Sequence, residues 1–124
     1  MRTMLKVSKT GTVKLTKGDT AAFEVVILDL LSDEPAKEYE LGEFDHLTMT
    51  IRRNVSDVGP AVIVKHVIGT PIIQFEPADT GNLDVGVYVY DVELRTEDGG
   101  TYTIIEPKKF RLMPEVTRHV YPSN

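Results

Sequence analysis

Asp84-Val85-Gly86-Val87-Tyr88-Val89-Tyr90-Asp91, continuing through Val92-Glu93-Leu94 to Asp98-Gly99-Gly100, is the stretch whose reading decides the fold. Apolar residues recur at every second position, the period of an extended chain. Tyr88, Tyr90, Val92 and Leu94 therefore share one face of a strand of about residues 85–96. Asp98-Gly99 suits a two-residue type I′ turn, which predicts a hairpin with a second strand over about 101–113. That turn would set Leu94 opposite Thr103 and Val92 opposite Ile105. Pro107 cannot donate to a ladder, so an edge or a bulge is expected near it. A one-residue bulge there would bring Phe110 opposite Tyr88, on the core face.

Working outward, the same alternation recurs. Val13 and Leu15 alternate with Thr12, Lys14 and Thr16 until Lys17-Gly18-Asp19 breaks the run. Phe23, Val25 and Ile27 alternate with Glu24, Val26 and Leu28, and their β-branched content favours a strand over a short helix. The polar, acid-rich stretch Ser32 to Glu43 reads as a loop. Leu47, Met49 and Ile51 mark a third strand, Val62 and Val64 a fourth, and Ile73 and Phe75 a fifth. Turns are signalled at Asp57-Val58-Gly59-Pro60 and at Ile68-Gly69-Thr70-Pro71, and a corner at Glu76 to Asn82. About seven short strands with regular turn signals, and no convincing helix, predict an all-β antiparallel sandwich or barrel.

The chain has 124 residues, 41% of them hydrophobic and 27% charged, enough for one ordinary core. A single domain over residues 1–124 is expected, with 1–10 and 118–124 flexible. Cysteine is absent, which excludes disulfides, thiolate metal sites and cysteine nucleophiles. The net charge of −5 argues against nucleic acid, which needs clustered Lys and Arg. Arg52-Arg53 and Lys108-Lys109 read as solvated strand ends. The start of the chain has no apolar core of a signal peptide, and no run is long enough for a membrane span. Synthesis in the cytoplasm, with no membrane partner, is the expectation.

No constellation of catalytic or cofactor-binding residues emerges. His46, His66 and His119 lack the close spacing of metal pairs. His46 and His66 could meet across strands, but surface histidines are the preferred reading and no metal site is expected. The carboxylates Asp79 and Asp84 do not follow the alternating oxygen pattern of a calcium loop. The serines lie in no nucleophile motif, and Gly81 and Gly86 read as backbone devices rather than a phosphate cradle. The chain is not expected to be an enzyme or to need a cofactor.

Asp84, Gly86, Tyr88 and Tyr90 together resemble the D-x-G-x-Y-x-C signature of strand F in immunoglobulin-like domains, with Tyr90 in the place of the cysteine. The resemblance implies an immunoglobulin-like antiparallel β-sandwich in which the Tyr88 hydroxyl bonds back to the preceding corner. Asp84, Gly86, Tyr88 and Tyr90 are thus the candidate structural corner. Val87 and Val89 lie on the opposite face and, with Val26 and Leu28, are a candidate interaction surface, for self-assembly or a protein partner.

A narrower resemblance runs from residue 12 to residue 117. Its elements are Lys17-Gly18-Asp19-Thr20, Leu47-Thr48-Met49-Thr50, Ile73-Gln74-Phe75-Glu76-Pro77-Ala78-Asp79-Thr80 and Leu83. Gly86 to Leu94, Asp98-Gly99, Thr103-Ile104-Ile105, Phe110 and Val116-Thr117 complete it. In this order they are similar to the N-terminal domains of baseplate upper proteins and related small tail proteins of phages of Gram-positive hosts. The resemblance implies a virion structural protein of a phage or prophage, located in the tail, that docks on other tail or baseplate proteins by protein contacts. Members of that family continue beyond this domain, which suggests a stand-alone tail accessory protein or a prophage relic. The alternative from another class is a carbohydrate-binding or cell-surface adhesion module, using Tyr88, Tyr90, Tyr102 and Tyr121 as a stacking platform.

Overall fold

The computed structural model describes residues 5–7, 12–29, 37–56 and 58–115. The expected flexible tail 118–124 and residues 116–117 of the family pattern lie outside them. Within them the chain is all-β apart from one turn of helix. The strands are β1 (Leu5–Val7), β2 (Val13–Thr16), β3 (Ala21–Glu24), β4 (Ile27–Asp29), β5 (Lys37–Glu38), β6 (His46–Arg52), β7 (Ile63–Ile68), β8 (Ile72–Phe75), β9 (Gly86–Arg95) and β10 (Thr101–Met113), and the helix is α1 (Pro77–Thr80).

Five strands form one sheet in the order β2-β10-β9-β6-β7, while β3 and β8 pair separately and β1-β4-β5 make a third, small sheet. Alternation sets the faces. In β6 the odd residues Leu47, Met49 and Ile51 are buried, and in β9 the even residues Tyr88, Tyr90, Val92 and Leu94 are. The two-stranded sheet covers that buried face. Phe23 of β3 meets the Tyr90 ring edge-on at 6.1 Å, and Phe75 of β8 meets Phe110 at 5.9 Å. Phe110 also lies 6.4 Å from Tyr90 within the main sheet, so two aromatic pairs join the layers and a third links them to each other.

Several expectations are corrected here. Ten strands are present among the described residues, rather than about seven. The extra ones are β1, within the first ten residues, β5, inside the stretch read as a loop, and a division of the second strand into β3 and β4. The division has a clear cause: β3 pairs with β8, whereas β4 pairs with β1 and β5, so the chain changes partners at Val25-Val26. The five-stranded sheet is mixed, not antiparallel, because β2 runs parallel to β10 with Val13 opposite Phe110 and Leu15 opposite Leu112. Most of the chain separates those two strands, so the long crossover that a parallel pair needs is available.

The hairpin is also corrected. Arg95 faces Thr101 and Leu94 faces Tyr102, one residue away from the expected register. The turn has three residues rather than two: Gly99 N–H donates to Thr96 O at 3.0 Å, Thr96 N–H to Gly100 O at 2.9 Å, and Gly99 sits at φ 93°. That is a turn followed by a left-handed residue. The Gly100 N–H binds Asp98 at 3.1 Å and the Thr96 hydroxyl also donates to Asp98. These two bonds, the Thr96 one first, hold the Asp98 carboxyl below its ordinary value. Two register shifts follow in β10, between Thr103 and Ile105 and between Ile105 and Lys108. The first restores Val92 opposite Ile105 and the second, at Pro107, sets Phe110 opposite Tyr88, as expected from the sequence.

The corner at Glu76 to Asn82 contains α1, a helix the sequence reading omits. Pro77 occupies the first helical position, where its missing N–H is harmless. Asp79 accepts from the Glu76 N–H at 2.7 Å and receives Lys65 Nζ of β7 at 2.6 Å. Burial raises the Asp79 pKa, but the Lys65 and Glu76 bonds and the Lys65 charge outweigh it, and the carboxyl is held below its ordinary value. A depressed folded-state pKa stabilises the fold above the unfolded value near 4 and is lost as pH falls through the folded value. With both side chains about a quarter exposed or less, the pair is worth about 1 kcal/mol. Asp79→Asn is expected to lower the urea midpoint at pH 7 and to leave it close to wild type at pH 2. An equal deficit at both pH values would refute the linkage.

Candidate functional site

The residues singled out from sequence divide between the core and one sheet face. At the corner, Tyr88 Oη donates to the Asp84 carbonyl at 2.6 Å, four residues back along the chain. Gly86 lies between them at φ 156°, a conformation L residues rarely adopt. Tyr88 and Tyr90 are both buried, and burial pushes the Tyr90 hydroxyl up to about 12. Tyr88→Phe keeps the ring and removes only the buried bond, so a loss of about 1 kcal/mol is expected. A urea midpoint unchanged from wild type would show that the hydroxyl contributes nothing to the corner.

The burial of Tyr88 and Tyr90 also removes them from any stacking platform. Tyr102 is half-buried, and Tyr121 lies outside the described residues.

The outer face of the five-stranded sheet carries the candidate interaction residues. Val87 is 54% exposed and Val89 half-buried. The face is wider than the sequence reading supposed, and in a different direction. Val26 lies between β3 and β4 and is half-buried, and the Leu28 side chain lies outside the described residues. The extension comes from β7. Val64 pairs with Thr50, which pairs with Asp91, so Val64 points outward with them and is 56% exposed. Ile68, paired with His46, is 52% exposed on the same face. The signal for this was present in the alternation of Val64 with Ile63 and Lys65, but the direction of β7 relative to the core was not.

Between these apolar positions lie Thr48, Thr50 and two charged groups. Asp91 lies beside Arg52 in a cavity of about 150 Å³ that also touches Val55, Val89 and Pro107. Burial and the nearby Glu93 charge push the Asp91 carboxyl up, and Arg52 opposes them.

Asp45 is the feature that sequence reasoning missed. It is 4% exposed, yet it carries a carboxylate. Tyr39 Oη donates to its Oδ2 at 2.6 Å, Gly42 N–H to the same oxygen at 2.8 Å, and Glu97 N–H to Oδ1 at 3.2 Å. Its carbonyl accepts from Gly69 N–H at 2.8 Å. One residue therefore ties the 39–42 segment, the tip of the β9-β10 hairpin and the turn after β7. Above it opens a cleft of about 540 Å³ between Tyr39 and Tyr102, edged by Glu40, Glu97 and Asp98.

The remaining polar feature is a histidine pair. His46 of β6 and His66 of β7 stack at 5.0 Å between ring centres, with Nδ1 of His46 2.8 Å from Nε2 of His66. Among the described residues no three imidazole or carboxylate side chains gather as a metal-binding group, and no helix is long and apolar enough to cross a membrane. A scan against protein-family models finds no match to this chain, and a search of curated proteins finds none either.

Proposed function

We propose that this chain is a virion structural protein of a phage or prophage, an immunoglobulin-like β-sandwich module of the tail or baseplate that acts by protein–protein contacts. The observation that carries the proposal is the outer face of the five-stranded sheet. It presents Val64 and Ile68 from β7 and Val87 from β9, the strands either side of β6, each residue more than half exposed. Apolar side chains held on a rigid surface are the usual mark of an association site. The immunoglobulin-like assignment draws support from two features: the Tyr88–Asp84 bond at the corner and the first strand of the main sheet running parallel to its last. The partners are other tail or baseplate proteins, and the same face suits a second copy of the chain. Prophage induction in the source strain tests the reading: the protein should co-sediment with tails, and Val64→Glu with Val87→Glu should leave it folded but no longer attached. Sedimentation only at the position of free protein, from a gene set among metabolic genes, would overturn it.

A second reading, a carbohydrate-binding or adhesion module, is favoured by one observation. The cleft above Asp45 combines two tyrosine rings with carboxylates, the pairing of apolar ring face and polar edge that suits a sugar. Glycan-array binding abolished by Tyr102→Ala would support it over the first.

A further inference from the structure

The histidine pair on β6 and β7 has a geometry that neither the core nor the apolar face explains. His46 pairs with Ile68 and Thr48 with His66, so the two imidazoles occupy diagonal positions on adjacent antiparallel strands. The strands are locked in register from His46–Ile68 through Ile51–Ile63, so the imidazole positions rest on a continuous ladder. Diagonal neighbours on one sheet face are within reach of long or ring side chains. Here the ring planes are 26° apart and the nearest nitrogens 2.8 Å apart.

We propose that His46 and His66 form a two-imidazole chelate for a borderline divalent cation of the Zn²⁺, Ni²⁺, Cu²⁺ class. In the free protein one ring nitrogen donates a proton to the lone pair of the other. In the chelate the cation takes the place of that proton, and the donor ring changes tautomer: its proton leaves the inner nitrogen for solvent and its outer nitrogen takes one up, so no net proton is lost. Both Nδ1 of His46 and Nε2 of His66 then present lone pairs, and each neutral ring carries its one proton on its outer nitrogen, Nε2 of His46 and Nδ1 of His66. A zinc–nitrogen bond of about 2.0–2.1 Å requires the two donors to stand about 3.0–3.3 Å apart, depending on the angle at the metal. A change of a few tenths of an ångström from the observed 2.8 Å is within reach of side-chain rotation on an exposed face.

Imidazole is the neutral ligand these metals prefer over the carboxylate and carbonyl oxygens that suit Ca²⁺ and Mg²⁺. Two protein ligands leave the other coordination positions to water or to an incoming donor. The nearest charge by register is Arg95, opposite His46, and its guanidinium lies 3.5 Å from Glu93, which offsets its repulsion of a cation.

Zn²⁺ titration of the untagged full chain by calorimetry tests this. One ion per chain is expected. His46→Gln and His66→Gln should each weaken Zn²⁺ binding by at least about tenfold, while His119→Gln, which removes the third imidazole, should not change it. Because His66 is exposed and His46 only half-buried on the outer face of the sheet, each variant should keep a urea midpoint close to wild type, which separates ligand loss from unfolding. In ¹⁵N spectra of the rings, Zn²⁺ should move Nδ1 of His46 and Nε2 of His66 and leave the other two nitrogens protonated. No saturable heat, or binding that survives either substitution undiminished, would overturn the chelate.

Discussion

Phe110→Ala is expected to lower stability by about 3–5 kcal/mol. Phe110 is wholly buried and meets rings from both layers, Phe75 of β8 and Tyr90 of β9. Its neighbours on the sheet are Tyr88 and Val13, on the strands either side of β10. Truncation to Ala leaves a void at that junction that none of these groups can fill without leaving its own strand. The second layer here rests on β3 and β8, four residues each, so each aromatic contact to it carries a large share of its packing. Domains of this size are stable by only 5–15 kcal/mol or so, and the variant should unfold at a far lower urea concentration. Phe110→Leu, which keeps most of the volume, should cost less than half as much. A Phe110→Ala midpoint corresponding to a loss under about 1 kcal/mol would mean that the two layers do not depend on this ring.

How much of this was legible in the sequence depends on the distance over which each feature is decided. The faces of β6 and β9 follow from alternation alone, and Phe110 opposite Tyr88 followed from the bulge, one of the two alternatives that Pro107 allows. The turn was legible as a turn but not in its length, because Asp-Gly serves both a two-residue turn and a three-residue one with Gly99 left-handed. Thr96 favours the longer form, since its backbone and hydroxyl both bond to Gly100. The parallel pairing of β2 with β10 joins residues almost a hundred positions apart, and no local pattern encodes it. Likewise His46 and His66 were legible as residues that could meet, but only the register of β6 on β7 places them 2.8 Å apart. The candidate surface was half legible. Val87 and Val89 were read from their own strand, whereas Val64 and Ile68 joined them through pairing across β6.

Asp45→Ala is expected to cost about 3 kcal/mol, and the reason lies in what it leaves behind rather than in what it removes. A bond to a charged acceptor is worth about 1.5–3 kcal/mol, and a buried donor without an acceptor adds its own desolvation cost. Truncation removes the shared acceptor of three part-buried donors: the Tyr39 hydroxyl, the Gly42 N–H and the Glu97 N–H. They belong to two segments that meet at one carboxylate, so the loss should be cooperative. Asp45→Asn keeps the shape but only one oxygen, and one of its faces becomes a donor directed at another donor. It should fall between wild type and Ala. The backbone bond from Gly69 to the Asp45 carbonyl is untouched by either change, which supplies an internal control. Amide hydrogen exchange should therefore accelerate at Gly42 and Glu97 much more than at Gly69. Tyr39→Phe combined with Asp45→Ala should cost little more than Asp45→Ala alone, because the hydroxyl has then no carboxylate to serve. Additive losses in that cycle, or uniform acceleration at all three amides, would mean that Asp45 acts by general destabilisation and not as the tie between the 39–42 segment and the hairpin tip.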